Sequence, residues 1–188
     1  MDQGYCDDEK IIDGFNFIRG NGKNVGIIVV RENEWSSPGI KFRAPVRPIE
    51  DYIEYINRKQ LIEAIVWTKD ISFLEKCPSL KSLEIENCGK IKDFSVLEEL
   101  TNLEELVLFG NNTLPDLKFL NQMKNLKIFA FDLNVEDGNL KYCLNIPTVQ
   151  CCRCRRHYNV KEKDLPVRPY KPEKTEIEEW GKNCTFIG

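Results

Sequence analysis

Leu80-Lys81-Ser82-Leu83-Glu84-Ile85 is the stretch that decides the fold, because its pattern of apolar residues returns after a constant interval. Further copies begin at positions 103 and 126, so consecutive copies are 23 residues apart. The interval predicts a fourth copy at position 149, which reads Val149-x-x-Cys152-x-Cys154. Equal spacing over this length predicts one supersecondary unit repeated along the chain. The apolar residues of the first three copies are Leu80, Leu83, Ile85; Leu103, Leu106, Leu108; and Leu126, Phe129, Phe131.

Three further columns of apolar residues keep the same interval between the copies. They are Ile71, Phe94, Leu117, Leu140; Leu74, Leu97, Leu120, Cys143; and Cys77, Leu100, Met123, Ile146. Upstream, Ile62-x-x-Ile65-x-Trp67 has the pattern of a degenerate first strand with a shorter turn after it. Each unit is therefore expected to be a strand followed by a return segment, with apolar side chains stacked from unit to unit.

Over about residues 60–160 this array resembles the leucine-rich-repeat family, in its internalin-like and phosphatase-regulator-like variants. That family carries Asn or Cys eight residues after the first Leu of a repeat, and Cys88, Asn111 and Asn134 match this position. His157 departs from it in the fourth copy. The resemblance implies an α/β fold, a short leucine-rich-repeat solenoid with a parallel β-sheet on the concave face and an irregular or short helical convex side. It also implies that the Asn column bonds backbone groups at the turns.

The regions on either side of the array are expected to cover its two ends. Residues 1–60 combine apolar runs, turn residues and a helical pattern that begins at Pro48, which predicts an N-terminal cap of a three-stranded β-meander followed by a helix. Residues 61–160 form the solenoid in this division. Residues 161–188 are expected to be a C-terminal cap or tail, with Pro166, Pro169 and Pro172 followed by the pattern of a capping box from Thr175 to Glu178.

Composition and charge exclude several classes of function. The 188-residue chain carries 27 Lys and Arg against 30 Asp and Glu, a formal net charge of −3. No overall positive field attracts a phosphate backbone, so no nucleic acid partner is expected. The sequence lacks a membrane-length apolar run, and its start lacks the pattern of a secretory signal, so we expect a cytoplasmic protein without a membrane partner. The eight Cys show no disulfide framework and are expected to be free thiols.

The run from Cys151 to His157 contains the side chains best suited to metal binding or catalysis. Cys151, Cys154 and His157 could be part of a zinc site, which stays open as an alternative although a fourth ligand is missing. The repeat register offers another explanation, because it places Cys152 and Cys154 in the core and His157 at a turn. The chain has a single His, and no acid–base pair of carboxylates stands out. The expectation is therefore no enzyme, no catalytic residue, no metal, no cofactor and no small-molecule substrate.

The best candidate site is the concave face of the predicted sheet. Side chains alternate across a strand, so the residues between the core positions are left for a partner. On this face an apolar centre anchored by Phe109 is expected between charged margins, an arrangement typical of protein recognition surfaces. The expected partner-binding residues are Val66, Glu84, Glu86, Glu105, Val107, Phe109, Ile128, Asp132, Arg153 and Arg155.

The expected function is non-enzymatic binding of another protein through this face. A small acidic binder of this kind resembles, in size and style, bacterial immunity proteins that neutralise toxins. The acidic columns would suit a basic toxin domain that cleaves nucleic acid. The alternative is an adaptor or regulatory scaffold subunit, in the style of the phosphatase regulators of the same family.

Overall fold

A computed structural model describes residues 9–18, 26–33 and 42–167. One α-helix, α1, spans Ile49–Lys59. The strands are β1 Lys10–Ile12, β2 Phe15–Ile18, β3 Ile27–Arg31, β4 Glu63–Trp67, β5 Ser82–Ile85, β6 Glu105–Leu108, β7 Thr113–Leu114, β8 Ile128–Phe131, β9 Asn134–Val135 and β10 Thr148–Cys151. Short 3-10 helices lie at Ser72–Lys76, Cys88–Lys90, Ser95–Glu98, Lys118–Asn121, Leu140–Asn145 and Glu162–Asp164.

Within the described residues, eight strands form one mostly parallel sheet in the order β1-β2-β3-β4-β5-β6-β8-β10. β1, β2 and β3 pair antiparallel, and every later pair in the sheet is parallel. Leu83 pairs with Leu106, and Leu106 pairs with Phe129, as the 23-residue interval predicts. The α/β class and the parallel sheet are therefore confirmed. β7 and β9 form a separate two-stranded parallel sheet.

The main core lies on one side of the large sheet. Alternate strand residues such as Leu83, Leu106 and Phe129 point into it, at 0 to 1 % exposure. The return segments cover them, because all three apolar columns found in the sequence lie buried or partly buried in the same cluster. Helix α1 closes the N-terminal part with Tyr52, Tyr55 and Ile56. Burying each large apolar side chain contributes roughly 1.5–3 kcal/mol, so the stacked columns hold the repeats together.

The opposite side of the sheet, here called the second face, carries a smaller apolar cluster at its N-terminal half. Phe42 covers Ile18, Val29 and Ile65 there. The ring of Trp67 packs against Phe42 with 5.1 Å between ring centroids. The second face therefore has an apolar cover over β2, β3 and β4, which the sequence analysis does not anticipate.

The predicted register of the first repeat strand was wrong by one residue. Ala64 and Val66 pair with Leu83 and Ile85, the core positions of the next strand. Val66 is therefore fully buried in the main core and cannot belong to a partner-binding face. Ile65 and Trp67 take the second face in its place.

The predicted register of the fourth copy was wrong as well. Val149 and Cys151 pair with the core residues Phe129 and Phe131, a step of 20 residues. Cys152 therefore follows the strand and is only half-buried, and Arg153 lies in the turn after it. The cause is a return segment three residues shorter than the preceding ones.

In the second copy, the predicted Asn column is displaced by one residue. Asn112, and not Asn111, donates from its amide to the carbonyls of Cys88 and Ile91, at 2.8 and 2.7 Å. The Cys88 thiol contacts the carbonyl oxygen of Ile85 at 3.3 Å, so it also bonds a backbone group at its turn.

We predict that Asn112→Ala lowers the free energy of unfolding by about 1–3 kcal/mol, because two buried carbonyls lose their donors. Its neighbour Asn111 is exposed, so Asn111→Ala is the matched control and should change the value by less than about 0.5 kcal/mol. Urea unfolding of both variants measures the difference. Equal midpoints for the two variants would contradict the role given to Asn112.

A column of polar caps repeats along the return segments. Asp70, Asp93 and Asp116 are 23 residues apart, and each accepts the backbone N–H of the residue two positions later, at 2.8 Å. Asn139 continues the column with the N–H of Lys141 at 3.3 Å. Backbone hydrogen bonds from Ser72 and Ser95 lower the pKa of Asp70 and Asp93 respectively. Each return segment thus begins at a side-chain cap.

The ends of the chain agree with the sequence analysis in part. The predicted helix after Pro48 and the antiparallel start of the sheet are confirmed. The predicted strand over 40–42 and the tail features after residue 167 lie largely outside the described residues. Residues 166 and 167 lie along the outer edge of β10: Val149 donates to the carbonyl of Pro166 at 2.8 Å, and Val167 bridges Thr148. No helix of the described part is long and apolar enough to cross a bilayer.

Candidate partner-binding surface

A row of four half-buried side chains lies where the parallel strands end, on the second face. It consists of Trp67, Glu86, Phe109 and Asp132, which are called the carboxyl-end row below. Each of the last three donates its backbone N–H to the preceding strand, to Val66, Ile85 and Leu108, at 2.9 to 3.1 Å. The strand ladder therefore fixes the spacing of the row, and its members stand side by side on adjacent strands.

The carboxylates of the row are held in place. Glu86 accepts a hydrogen bond from the indole Nε1 of Trp67 at 2.9 Å. Asp132 accepts the backbone N–H of Gly110 through Oδ1 at 2.7 Å and pairs with Arg153 through Oδ2 at 3.4 Å. Phe109 lies between the two acids along the row. The row thus presents an aromatic ring flanked by two oriented carboxylates, of which Asp132 is paired with Arg153, and this arrangement is suitable for recognition.

The middle of the predicted concave site is less accessible than the sequence predicts. Glu84, Glu105 and Val107 are 5, 8 and 1 % exposed. Ser82 donates to Glu105 at 3.2 Å, and burial raises the pKa of nearby Glu63. Ile128 remains half-buried on the same face. Of the predicted site, the structure therefore brings Glu86, Phe109, Asp132 and Ile128 to accessible positions.

Arg153 and Arg155 are exposed, but they lie beyond the end of β10 and not on the strand. Arg153 joins the carboxyl-end row through Asp132 and also donates to the amide oxygen of Asn111 at 2.9 Å. Arg155 lies in an open polar cleft, which it shares with Asn111, Asn112, Thr113, Asn134 and His157. Arg153 therefore extends the predicted surface, whereas Arg155 belongs to a neighbouring one.

His157 occupies a structural position at the turn. Its Nε2 lies 2.9 Å from the carbonyl oxygen of Val135, so this nitrogen carries the proton and donates. Its ring contacts Tyr158, whose hydroxyl accepts the N–H of Val135 and donates to the carbonyl of Leu133. These contacts occupy Nε2, one of the two ring nitrogens through which His157 could serve as a zinc ligand. In the described part of the chain, no group of three or more His, Cys, Asp or Glu is arranged to hold a metal ion.

The cysteines of the described residues divide into buried and partly accessible thiols. Burial raises the pKa of Cys88 and Cys143 to about 12, and it raises that of Cys77 to about 11. The thiolate is the reactive form, so these three are inert near neutral pH. Cys152 and Cys154 are half-buried and lie beside the surface just described.

We predict that iodoacetamide modifies Cys154 at least about 100-fold faster than Cys88 or Cys143 in the native protein at pH 8, because burial suppresses the thiolates of Cys88 and Cys143 and keeps the reagent away from them. Peptide mapping by mass spectrometry after a timed quench gives the rates. In denaturant the difference should fall to a few-fold. A native rate for Cys88 as fast as that of Cys154 would contradict the burial described here.

Comparisons of the chain with protein-family models, with curated proteins and with solved structures gave no match.

Two residues were not predicted from the sequence: Trp67 as part of the surface, and Asn112 as the residue that bonds the turn. For Trp67 a signal was present, since β4 is apolar at both alternating positions and fits two registers equally well. For Asn112 a signal was also present, because two adjacent Asn residues occupy the turn and only one of them matches the family position.

Proposed function

We propose that this protein binds a partner protein through the carboxyl-end row together with Ile128 and Arg153. The observation that carries the proposal is the row itself, an aromatic side chain between two carboxylates on adjacent hydrogen-bonded strands. Side chains that are already fixed on a sheet lose little conformational entropy on binding, so ordering them subtracts little from the binding free energy. The proposal includes no catalytic step and no cofactor.

We also propose that the repeated units are leucine-rich repeats and form a short solenoid. What supports this is the pairing of equivalent residues on consecutive strands, together with the 23-residue columns of apolar residues and of capping Asp side chains. Stacked repeats of this kind offer extended surfaces to partners. The cytoplasm is the proposed setting, because the thiols of the described residues are free.

The proposed partner is a protein with a basic contact patch. Glu86 places an oriented carboxylate on one side of Phe109, Asp132 on the other side shares its charge with Arg153, and the chain has a formal net charge of −3. Complementary charge raises the association rate and orients the encounter. A basic nuclease toxin is one partner of this chemistry, which would make this chain an immunity protein that covers the toxin's cleft. A scaffold subunit that binds an enzyme remains the other candidate class.

The test is quantitative capture from extract of the source cells, with the tagged wild-type chain and surface variants compared by mass spectrometry. We expect Phe109→Ser and Ile128→Asp each to reduce the captured partner at least about tenfold, as substitutions of central interface residues do. Leu144→Ser is the matched control, since Leu144 is a 45 % exposed apolar residue on a return segment. It should leave capture unchanged.

A charge reversal tests the basic character of the partner. Glu86→Lys should weaken capture and lower its salt dependence, whereas Glu98→Lys, at an exposed position of a return segment, should do neither. Circular dichroism must show that every variant remains folded. Equal capture by folded Phe109→Ser, Ile128→Asp and Glu86→Lys variants would overturn the proposed surface.

A further inference from the structure

Cys151 and Cys154 are the two ends of one tight turn. Cys151 is the last residue of β10, Cys152 and Arg153 form the turn, and Cys154 follows it. The first and fourth Cα atoms of a β-turn lie within about 7 Å of each other. A disulfide needs a Cα separation of about 4.4–6.8 Å, so the turn holds the pair in the range in which the bond can form.

The two side chains of this pair lie close together, and the Cys154 thiol contributes to the raised pKa of Cys151. Cys151 is 3 % exposed within the main core, and Cys154 packs against the same core while remaining half-buried. The pair therefore combines one accessible thiol with one protected thiol behind it. Cys152 points to the other side of the sheet, since it follows Cys151 along the strand.

We propose that Cys151 and Cys154 form a reversible disulfide by exchange with a low-molecular-weight disulfide such as glutathione disulfide. The Cys154 thiolate attacks one sulfur of the reagent, forms a mixed disulfide and releases one thiolate. The Cys151 thiolate then attacks the Cys154 sulfur and releases the second. Two protein thiols are oxidised to one disulfide, the reagent is reduced to two thiols, and the two protons lost by the cysteines are taken up by the released thiolates.

The two steps differ in their dependence on pH. Burial raises the pKa of Cys151 to about 12, so its thiolate is scarce at neutral pH. Below that pKa, the thiolate population of Cys151 rises about tenfold for each pH unit, so the rate of the second step, the attack of Cys151 on the Cys154 sulfur, should rise by the same factor. This inference stands apart from the proposed function, because the disulfide requires no partner protein.

The test is incubation of the native full-length chain with glutathione disulfide, followed by acid quench, alkylation and non-reducing peptide mapping. We expect a Cys151–Cys154 link that glutathione reverses, and the same link in the Cys152→Ser variant. In Cys151→Ala the second thiol is missing, so the mixed disulfide at Cys154 should accumulate at least about tenfold above the wild-type level. Cys151→Ala keeps a small apolar residue in the core, and circular dichroism checks that it folds.

Three results would overturn the proposal. The first is a link from Cys151 to Cys143, which lies near it in the core. The second is a link that disappears in the folded Cys152→Ser variant. The third is a stable mixed disulfide in the wild-type chain at the level found in Cys151→Ala, which would show that Cys151 does not attack.

Discussion

Phe129→Ala is expected to lower the free energy of unfolding by about 3–5 kcal/mol, the range for removing a fully buried aromatic ring. Phe129 has 0 % exposure and lies at the centre of the main core. Its ring stacks on Phe131 at 5.0 Å between centroids and meets Phe119 edge to face at 6.3 Å. Strand β8 is paired with β6 on one side and β10 on the other, so its backbone cannot move into the space left by the ring.

Urea unfolding followed by circular dichroism measures this loss. Ile128→Ala is the matched control, because it lies next to Phe129 on β8 but on the half-buried second face. That variant should lose less than about 1.5 kcal/mol, since less apolar surface leaves contact. Equal losses for the two variants would mean that Phe129 is not the central core residue of the repeats.

Gly110→Ala is expected to destabilise the protein by at least about 2–3 kcal/mol, because strain and a backbone collision act together. Gly110 has φ +130°, which L side chains rarely adopt. A Cβ there would lie 2.6 Å from the backbone nitrogen of Cys88 and 3.1 Å from the carbonyl carbon of Asn87. Neither neighbour can rotate away, since both belong to the turn of the preceding repeat.

The next residue supplies the control for this variant. Thermal melting followed by circular dichroism measures both variants. Asn111→Ala adds no collision at an exposed position, so its melting temperature should stay near that of the wild type. Because Gly110 also donates its N–H to Asp132, the alanine variant should disturb the carboxyl-end row as well. A Gly110→Ala protein with an unchanged melting temperature would show that the turns of adjacent repeats approach less closely than described.

The parallel sheet could be predicted from the sequence because its repeat interval is constant. Equivalent residues 23 positions apart pair with each other on neighbouring strands from β5 to β8. The prediction failed where the pattern became ambiguous. β4 is apolar on both faces, since Val66 faces the main core while Ile65 faces the second cluster. Alternation then no longer distinguishes one register from the next.

The column of polar caps was not predicted, although its residues recur at the same interval in the sequence. A search restricted to apolar residues overlooks it. Asp70, Asp93 and Asp116 stand at the repeat interval, and Asn139 follows after the same step. Short polar side chains that accept a backbone N–H two residues later are a recognised way to begin a turn. A search for polar columns at that interval would have located the start of each return segment.

The candidate site divides along similar lines. Glu86, Phe109 and Asp132 follow from the register of strands that obey the interval, and the structure brings them together. The burial of Glu84, Glu105 and Val107 could not be predicted, because a strand pattern does not say what covers the second face. Arg153 reaches the site from the turn after β10. Its position could not be predicted, because the fourth repeat follows after 20 residues and not after 23.

The outer edge of β10 bears on whether the protein can associate edge to edge with other chains. An uncovered edge strand offers its amides and carbonyls to any passing chain, and open-ended stacks can elongate in this way. Here the carbonyl of Pro166 takes the N–H of Val149, and proline has no N–H of its own to offer to a further strand. Residues 166 and 167 thus block further strand pairing at this edge and so oppose end-to-end polymerisation. A chain from which they are removed should form fibrils.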